Sequence, residues 1–214
     1  MRLEHERASG IKPIENIQLS NERLIGSGHF GNAYSVDGVI SDGKRSHTKR
    51  LVLKRYREKP DRLGSAKRNA SQAISNYEKA KTAGLRVFPT FRLLEDEKSI
   101  LMTSGHSPEW VCLGSNRGSD AVRNFEQFNA EYIDDSFDIQ ELIQNIFDQA
   151  QLANKHGISL DGDSIFFLVN TQPNHNIDFV IGDYDMLFDP GIKDQLQHNL
   201  AYTRVALETF IRKN

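Results

Sequence analysis

Residues 24–34 read Leu-Ile-Gly-Ser-Gly-His-Phe-Gly-Asn-Ala-Tyr, which places Gly26, Gly28 and Gly31 between two strand-like stretches. A G-x-G-x-x-G tract that opens a helix marks a dinucleotide fold. Here residues 32–36, Asn-Ala-Tyr-Ser-Val, are β-branched and aromatic, so the spacing predicts a hairpin instead. Glycines suit such a hairpin when backbone N–H groups must approach phosphate oxygens closely, because a Cβ would stand in the way. With Ser27 among them, Gly26, Gly28 and Gly31 are candidate nucleotide contacts. A glycine-rich hairpin that binds nothing would carry the same letters.

The order of the next elements along the chain favours the nucleotide reading. Asp37 and Gly38 mark a turn, and Arg50–Tyr56 alternates as a strand with Leu51, Leu53 and Arg55 on one face and Val52, Lys54 and Tyr56 on the other. Residues 65–82 space Ala66, Ala70, Ala73, Ile74, Tyr77 and Ala80 at helical intervals, with Gly84 as the stop signal. Residues 91–95 and 99–103 flank Asp96-Glu97-Lys98 as a hairpin. The first hundred residues therefore predict β-β-β-α-β-β after a polar leader over 1–20. A lysine set among Leu and Val must bury its charge at a cost, and one carboxylate from the neighbouring helix would remove it. Glu78 is the candidate partner of Lys54.

Charge and composition narrow the partners. Lys plus Arg total 27 against 29 for Asp plus Glu, a formal charge of -2, which gives no global case for nucleic acid. The surplus is local: residues 44–68 carry eleven Lys or Arg against two acids, and residues 131–148 carry six acids and no Lys or Arg. No stretch approaches the ~18 apolar residues of a membrane helix. A single cysteine, Cys112, excludes an internal disulfide and a multi-cysteine zinc site. The first residues lack the apolar centre of a signal peptide, which predicts a cytosolic place of action or export without a cleavable signal.

Residues 104–118 hold three glycines and a proline and predict a linker into a second half. Residues 119–132 are a candidate helix. Residues 137–155 form the best amphipathic stripe, with Asp135 and Ser136 as candidate caps and Gly157 as its end. Two apolar runs, 165–169 and 179–181, predict a buried hairpin with a long polar tip. The last 25 residues predict a helix with Leu196, Leu200, Val205, Leu207, Phe210 and Ile211 inward. Between the long helix and the hairpin lie His156, Asp161 and Asp163, and the second run ends in Gly182-Asp183-Tyr184-Asp185. An aspartate at the end of a buried strand is expensive unless paired.

Taken together, the glycine hairpin, Lys54 strand, acid-bearing helix, hairpin, hinge and helical second half resemble the protein-kinase superfamily over residues 24–103 and 137–187. The resemblance implies an α+β, two-lobe kinase-like fold: an N-lobe over 21–104 with five antiparallel strands and one helix, and a reduced helical C-lobe over 105–214. It implies ATP and Mg2+ as cofactors, Lys54 on the α/β-phosphates beside Glu78, and magnesium on Asp163 and Asp183, with Asp185 as a supporting acid. The usual His-x-Asp then Asn pattern is altered, since Ile158 and Asp163 occupy the aspartate and asparagine positions. Asp161 is the nearest acid and becomes the expected catalytic base. His156 matches a structural histidine. His29, His106, Trp110 and His175 are expected at the surface and Cys112 idle.

Only 29 residues come after Asp185, too few for the activation segment of a usual kinase. In this reduction the chain resembles minimal serine/threonine kinases that bacterial pathogens secrete by type III secretion. Among these it most resembles the small family that phosphorylates the host ninety-kilodalton heat-shock chaperone. That implies a monomeric virulence effector in the host cytosol with a host protein substrate and neither nucleic acid nor membrane as partner. Two other readings stay open: a pseudokinase that binds through the fold, suggested by Ile158, and a small-molecule kinase, suggested by Asp183-Tyr-Asp185.

Overall fold

The alternation over residues 50–56 becomes the middle of a sheet. The computed structural model describes residues 17–41, 46–58, 65–105, 107, 109–114, 139–161, 164–170, 176–185 and 194–211. In chain order its first elements are β1 (Gln18–Ser27), β2 (Gly31–Ser41), β3 (Ser46–Tyr56), α1 (Ala66–Thr82), β4 (Phe91–Leu93) and β5 (Ser99–Thr103). The strands form one five-stranded antiparallel sheet in the order β1-β2-β3-β5-β4. Leu51 and Leu53 bury one face of β3 with Val36 and Leu101, and Tyr56 joins a second core on the other face. The expected β-β-β-α-β-β order is the one observed.

Two local expectations differ. Strand β1 starts at Gln18, inside the stretch read as a leader. Asp37 and Gly38 do not turn: β2 runs through them, pairing Asp37 with Arg50 and Gly38 with Lys49. The glycine is there for close approach, because a Cβ on it would lie 2.7 Å from Leu51 Cδ1. Asp37 accepts a hydrogen bond from Asn21 at 2.9 Å, so its polarity serves a cross-strand contact.

Helix α1 obeys its sequence signals. Ser65 caps it by accepting from the Arg68 N–H, and Gly84, at φ 85, ends it. Leu85 N–H donates to the Ala80 carbonyl and Gly84 N–H to that of Lys81, which satisfies the last-turn acceptors and turns Leu85 into the core. Ala66, Ala70, Ala73 and Ala80 are fully buried, so the helix backbone lies close against its neighbours.

The remaining elements are β6 (Trp110–Gly114), α2 (Ile139–Lys155), β7 (Ile165–Asn170), β8 (Ile177–Ile181) and α3 (Gln195–Ile211). Strand β6 lies within the expected linker and extends the predicted hairpin to an antiparallel three-stranded sheet, β6-β7-β8. Helices α2 and α3 cover this sheet through Leu142, Ile146, Leu207 and Phe210, with Phe210 stacked on Phe167 at 4.1 Å. Helix α2 ends as α1 does: Gly157 has φ 66, and Ile158 N–H donates back to the Ala153 carbonyl. The expected inner face of α3 holds at Leu207 and Phe210, which are buried, and at Leu200, which packs against the shared core, but not at Leu196 and Val205. Leu196 and Val205 are exposed, while Asn199, Thr203, Ala206, Leu207 and Phe210 are buried. The expected helix over 119–132, the caps at Asp135 and Ser136, and the tip at 171–175 lie outside the described residues.

One core joins the two parts. Tyr77 of α1, Phe91 of β4 and Tyr184 pack as a ring trio with centroids 4.7–5.3 Å apart, beside Ala150, Ala153, Ile158, Leu160 and Ile181. The chain is thus mixed α+β, with a five-stranded antiparallel sheet and three helices among the described residues.

Candidate active site

Strand β3 carries Lys54 and Tyr56 on the face turned toward α1 and the end of β8. Lys54 Nζ donates to Asp183 Oδ1 at 3.1 Å and to Asp185 Oδ2, joining residues 129 and 131 positions apart. Tyr56 Oη donates to Asp185 Oδ1 at 2.6 Å. Lys54 is only 18% exposed, and burial pushes its ammonium down, but the attraction of Asp183 and Asp185 outweighs this and holds it above its usual value. Burial also pushes the Asp185 carboxyl up, with Lys54 pulling back and Asp183 adding to the rise. Burial, reinforced by Asp185, pushes the Tyr56 phenol far up, so it stays a donor.

The turn that delivers both aspartates is anchored by the residue between them. Tyr184 is 1% exposed, accepts from the Phe88 N–H at 3.3 Å and donates to the Ile181 carbonyl. Its own carbonyl accepts from Asn76 Nδ2 of α1 at 2.7 Å. Gly182 is needed beside it, since a Cβ there would meet the Phe166 ring at 2.7 Å. Asp183 adopts φ 49, a left-handed conformation that is costly for a non-glycine residue and common at functional turns. The aspartates differ in access: Asp183 is 32% exposed and Asp185 5%.

The glycine hairpin lies on the neighbouring strands, with Ala33 directly opposite Lys54. Its three glycines have unequal reasons. A Cβ on Gly31 would fall 2.1 Å from the Arg55 carbonyl oxygen, so the fold requires glycine there. Gly28 donates its N–H to the Gly31 carbonyl at 2.8 Å, and around Gly26 a Cβ would meet nothing within 4 Å. Neither has a positive φ, so packing and backbone conformation leave Gly26 and Gly28 unexplained. Ser27 Oγ donates to Asn32 Oδ1 at 3.0 Å, and Arg57 donates to both side chains, bracing the hairpin.

Beyond α2 the chain enters the segment expected to hold the base. Ile158 is 1% exposed and packs in the shared core, which explains why no acid stands there. Asp161 is half-buried in a turn closed by Ser164, whose N–H donates to the Asp161 carbonyl at 3.0 Å and whose Oγ accepts the Asp161 N–H at 2.9 Å. The Ser164 carbonyl accepts the Gly182 N–H at 2.7 Å, tying the Asp161 turn to the residue before Asp183. Asp163 lies outside the described residues, as do His106 and His175.

The pairing of Lys54 with Glu78 is corrected. Glu78 is exposed and lines a groove on the other side of α1 with Ser75, Lys79, Thr82, Ala83, His156 and Ile158. At about 100° per residue, the inward positions Ala73, Asn76, Tyr77 and Ala80 turn residue 78 away. His29 is exposed with its ring edge-on to Phe30, and Trp110 is half-buried in β6. Burial pushes the Cys112 thiol up to about 12, so it is no thiolate nucleophile.

Sequence reasoning missed three residues. Tyr56 was visible only as an alternate position on β3. Asn76 is a buried polar residue inside an alanine stripe. Asn199 of α3 is fully buried, with Oδ1 accepting the Leu160 N–H at 2.8 Å and Nδ2 donating to the Ile158 carbonyl at 2.8 Å, so it clamps the segment before Asp161. Gln195 adds a bond to Ser159 Oγ at 2.8 Å.

Among the described residues no group of three or more His, Cys, Asp or Glu converges on a metal position. Asp183 and Asp185 are hard oxygen donors, and magnesium commonly takes one or two carboxylates and completes its shell with phosphate and water. Asp185 spends both oxygens on Lys54 and Tyr56, which leaves Asp183 as the fitting ligand. Comparison with protein-family models and with curated protein sequences finds no match.

Proposed function

We propose that the chain is an ATP-dependent protein kinase of the serine/threonine type with a two-lobe, kinase-like fold. The observation that carries this is the meeting of Lys54 with Asp183 and Asp185 beside a hairpin whose Gly26 and Gly28 have no packing reason. A cation next to carboxylates, one strand away from a glycine-rich hairpin, suits a nucleotide polyphosphate. In this reading Lys54 orients the α/β-phosphates. Asp183 holds magnesium, with Asp163 as a further oxygen donor; the ion, when bound, neutralises charge on the phosphates. The acceptor hydroxyl oxygen bonds to the γ-phosphorus as the bond to the β-γ bridging oxygen breaks. ADP leaves, and Asp161 takes the hydroxyl proton. The host-protein acceptor, the chaperone and the effector role rest on the resemblance alone.

Transfer of labelled phosphate from ATP to host-cell lysate tests it. Wild type is expected to label a protein on Ser or Thr, and Asp183→Ala and Asp161→Ala to reduce labelling by about 100-fold or more. Undiminished labelling by Asp183→Ala removes the magnesium assignment, and by Asp161→Ala the base. A pseudokinase is the second reading, favoured by the buried Ile158, and predicts nucleotide binding with no labelling.

A further inference from the structure

Helix α1 presents Lys54 with no carboxylate. Its buried face is Ala66, Ala70, Ala73, Asn76, Tyr77 and Ala80. An ammonium largely removed from water still requires a counter-charge, and the two aspartates meet that need in different ways. Asp183 is the more exposed and gives Lys54 one oxygen. Asp185 is shut away, and both its oxygens are occupied, Oδ2 by Lys54 and Oδ1 by the Tyr56 hydroxyl at 2.6 Å. Tyr56 acts twice. It stands two residues after Lys54 on the same strand face, so its ring lies 5.3 Å from the ammonium while its hydroxyl fixes the carboxylate that the ammonium meets.

We infer that Asp185, held in place by Tyr56, is the residue that positions Lys54 toward the nucleotide phosphates, in the role expected of Glu78. The inference rests on the phosphoryl-transfer reading and divides the labour inside it: Asp185 positions the lysine, and Asp183 is left to face the cation. An ammonium has three donors. Asp183 and Asp185 use two, and the third is available to a phosphate oxygen without breaking the pair.

The test uses the full chain as wild type, Asp185→Asn, Tyr56→Phe and Glu78→Gln, with thermal melts to establish folding. Titration with Mg-ADP and with adenosine reads the positioning role. Loss of the Asp185 charge is expected to weaken Mg-ADP binding by about tenfold or more and Tyr56→Phe by about threefold or more. Adenosine binding should stay within about twofold in both, a selectivity that general loosening of the fold would not give. The Lys54 ammonium, observed by 15N NMR in the nucleotide-free chain, should exchange faster in Asp185→Asn and keep the wild-type signal in Glu78→Gln. If Glu78→Gln weakens Mg-ADP binding or changes the ammonium signal while Asp185→Asn does not, the inference is overturned. It also falls if Asp185→Asn loses adenosine and Mg-ADP alike. Tyr56→Phe removes one hydroxyl and opens no large cavity, so it decides the matter if Asp185→Asn does not fold: unchanged Mg-ADP affinity overturns the role of Tyr56 and with it the inference. A wild type that binds no nucleotide overturns the phosphoryl-transfer reading and the positioning role together, and the ammonium signal alone then tells whether Asp185 is the partner of Lys54.

Discussion

Replacing Asn199 with Ala should cost far more than its place on a terminal helix suggests. The side chain is fully buried and makes two short bonds, accepting from the Leu160 N–H and donating to the Ile158 carbonyl, each at 2.8 Å; its third, to the Ala150 carbonyl, is long at 3.5 Å. Truncation leaves two backbone groups without partners inside the core, at roughly 1–3 kcal/mol each. The expected loss is therefore about 2–6 kcal/mol, out of the ~5–15 kcal/mol that a domain commonly has. At about 2–4 °C per kcal/mol for a chain of this size, Tm should fall by roughly 4–24 °C. Urea unfolding gives the free energy, and amide exchange at Leu160 gives the local effect, which should speed up before global unfolding does. Thr203→Val is the comparison: among the described residues its hydroxyl bonds to carbonyls of its own helix alone, those of Asn199 and Leu200, and should cost about 1 kcal/mol or less. Asn199→Ala costing under about 1 kcal/mol, or no more than Thr203→Val, would refute the clamp.

Other substitutions separate fold from site. Gly31→Ala should destabilise by about 1–3 kcal/mol or prevent folding, because the new Cβ meets the Arg55 carbonyl at 2.1 Å, whereas Gly26→Ala should change urea stability by under about 0.5 kcal/mol and show its effect in Mg-ADP affinity. Gly84→Ala, at φ 85, should lower stability by roughly 1 kcal/mol in the same assay. The Cys112 thiol has a reference value of 9.0 and is pushed up to about 12 by burial, so the folded state holds the proton longer than the unfolded chain does. Its contribution is present below pH 9 and is lost as pH rises toward 12; the fall in urea midpoint over that range should be shallower in Cys112→Ala.

What could be read from the letters was whatever has a short period or a local stop. The strand over 50–56, the alanine stripe of α1, the hairpin around Asp96 and the helix ends at Gly84 and Gly157 all rest on contacts within a few residues. What could not be read depends on partners far along the chain or on phase. Glu78 and Asp185 are both acids within a plausible reach of Lys54 on paper. Only the rotation of α1, fixed by Ala73 and Tyr77, and the anchoring of Tyr184 choose between them. In α3 Leu207 and Phe210 read correctly, but Leu196 and Val205 face solvent while Asn199 and Thr203 are inside to serve backbone bonds. Gly38 was misread as a turn because its cause, the approach of Leu51, belongs to another strand.

The ion pair between Lys54 and residues 183 and 185 also has a consequence for how the chain is made. During synthesis Lys54 leaves the ribosome about 129 residues before its first counter-charge, and the core under α1 lacks Ile181 and Tyr184 for the same interval. Until strand β8 arrives, the face of the early sheet toward α1 carries a lysine without its aspartates and lacks part of its apolar packing, while the opposite face, with Val36, Leu51, Leu53 and Leu101, is already complete. A nascent chain stopped before residue 181 exposes that apolar surface, and even after Asp185 emerges the segment before Asp161 waits for Asn199 of α3 to clamp it.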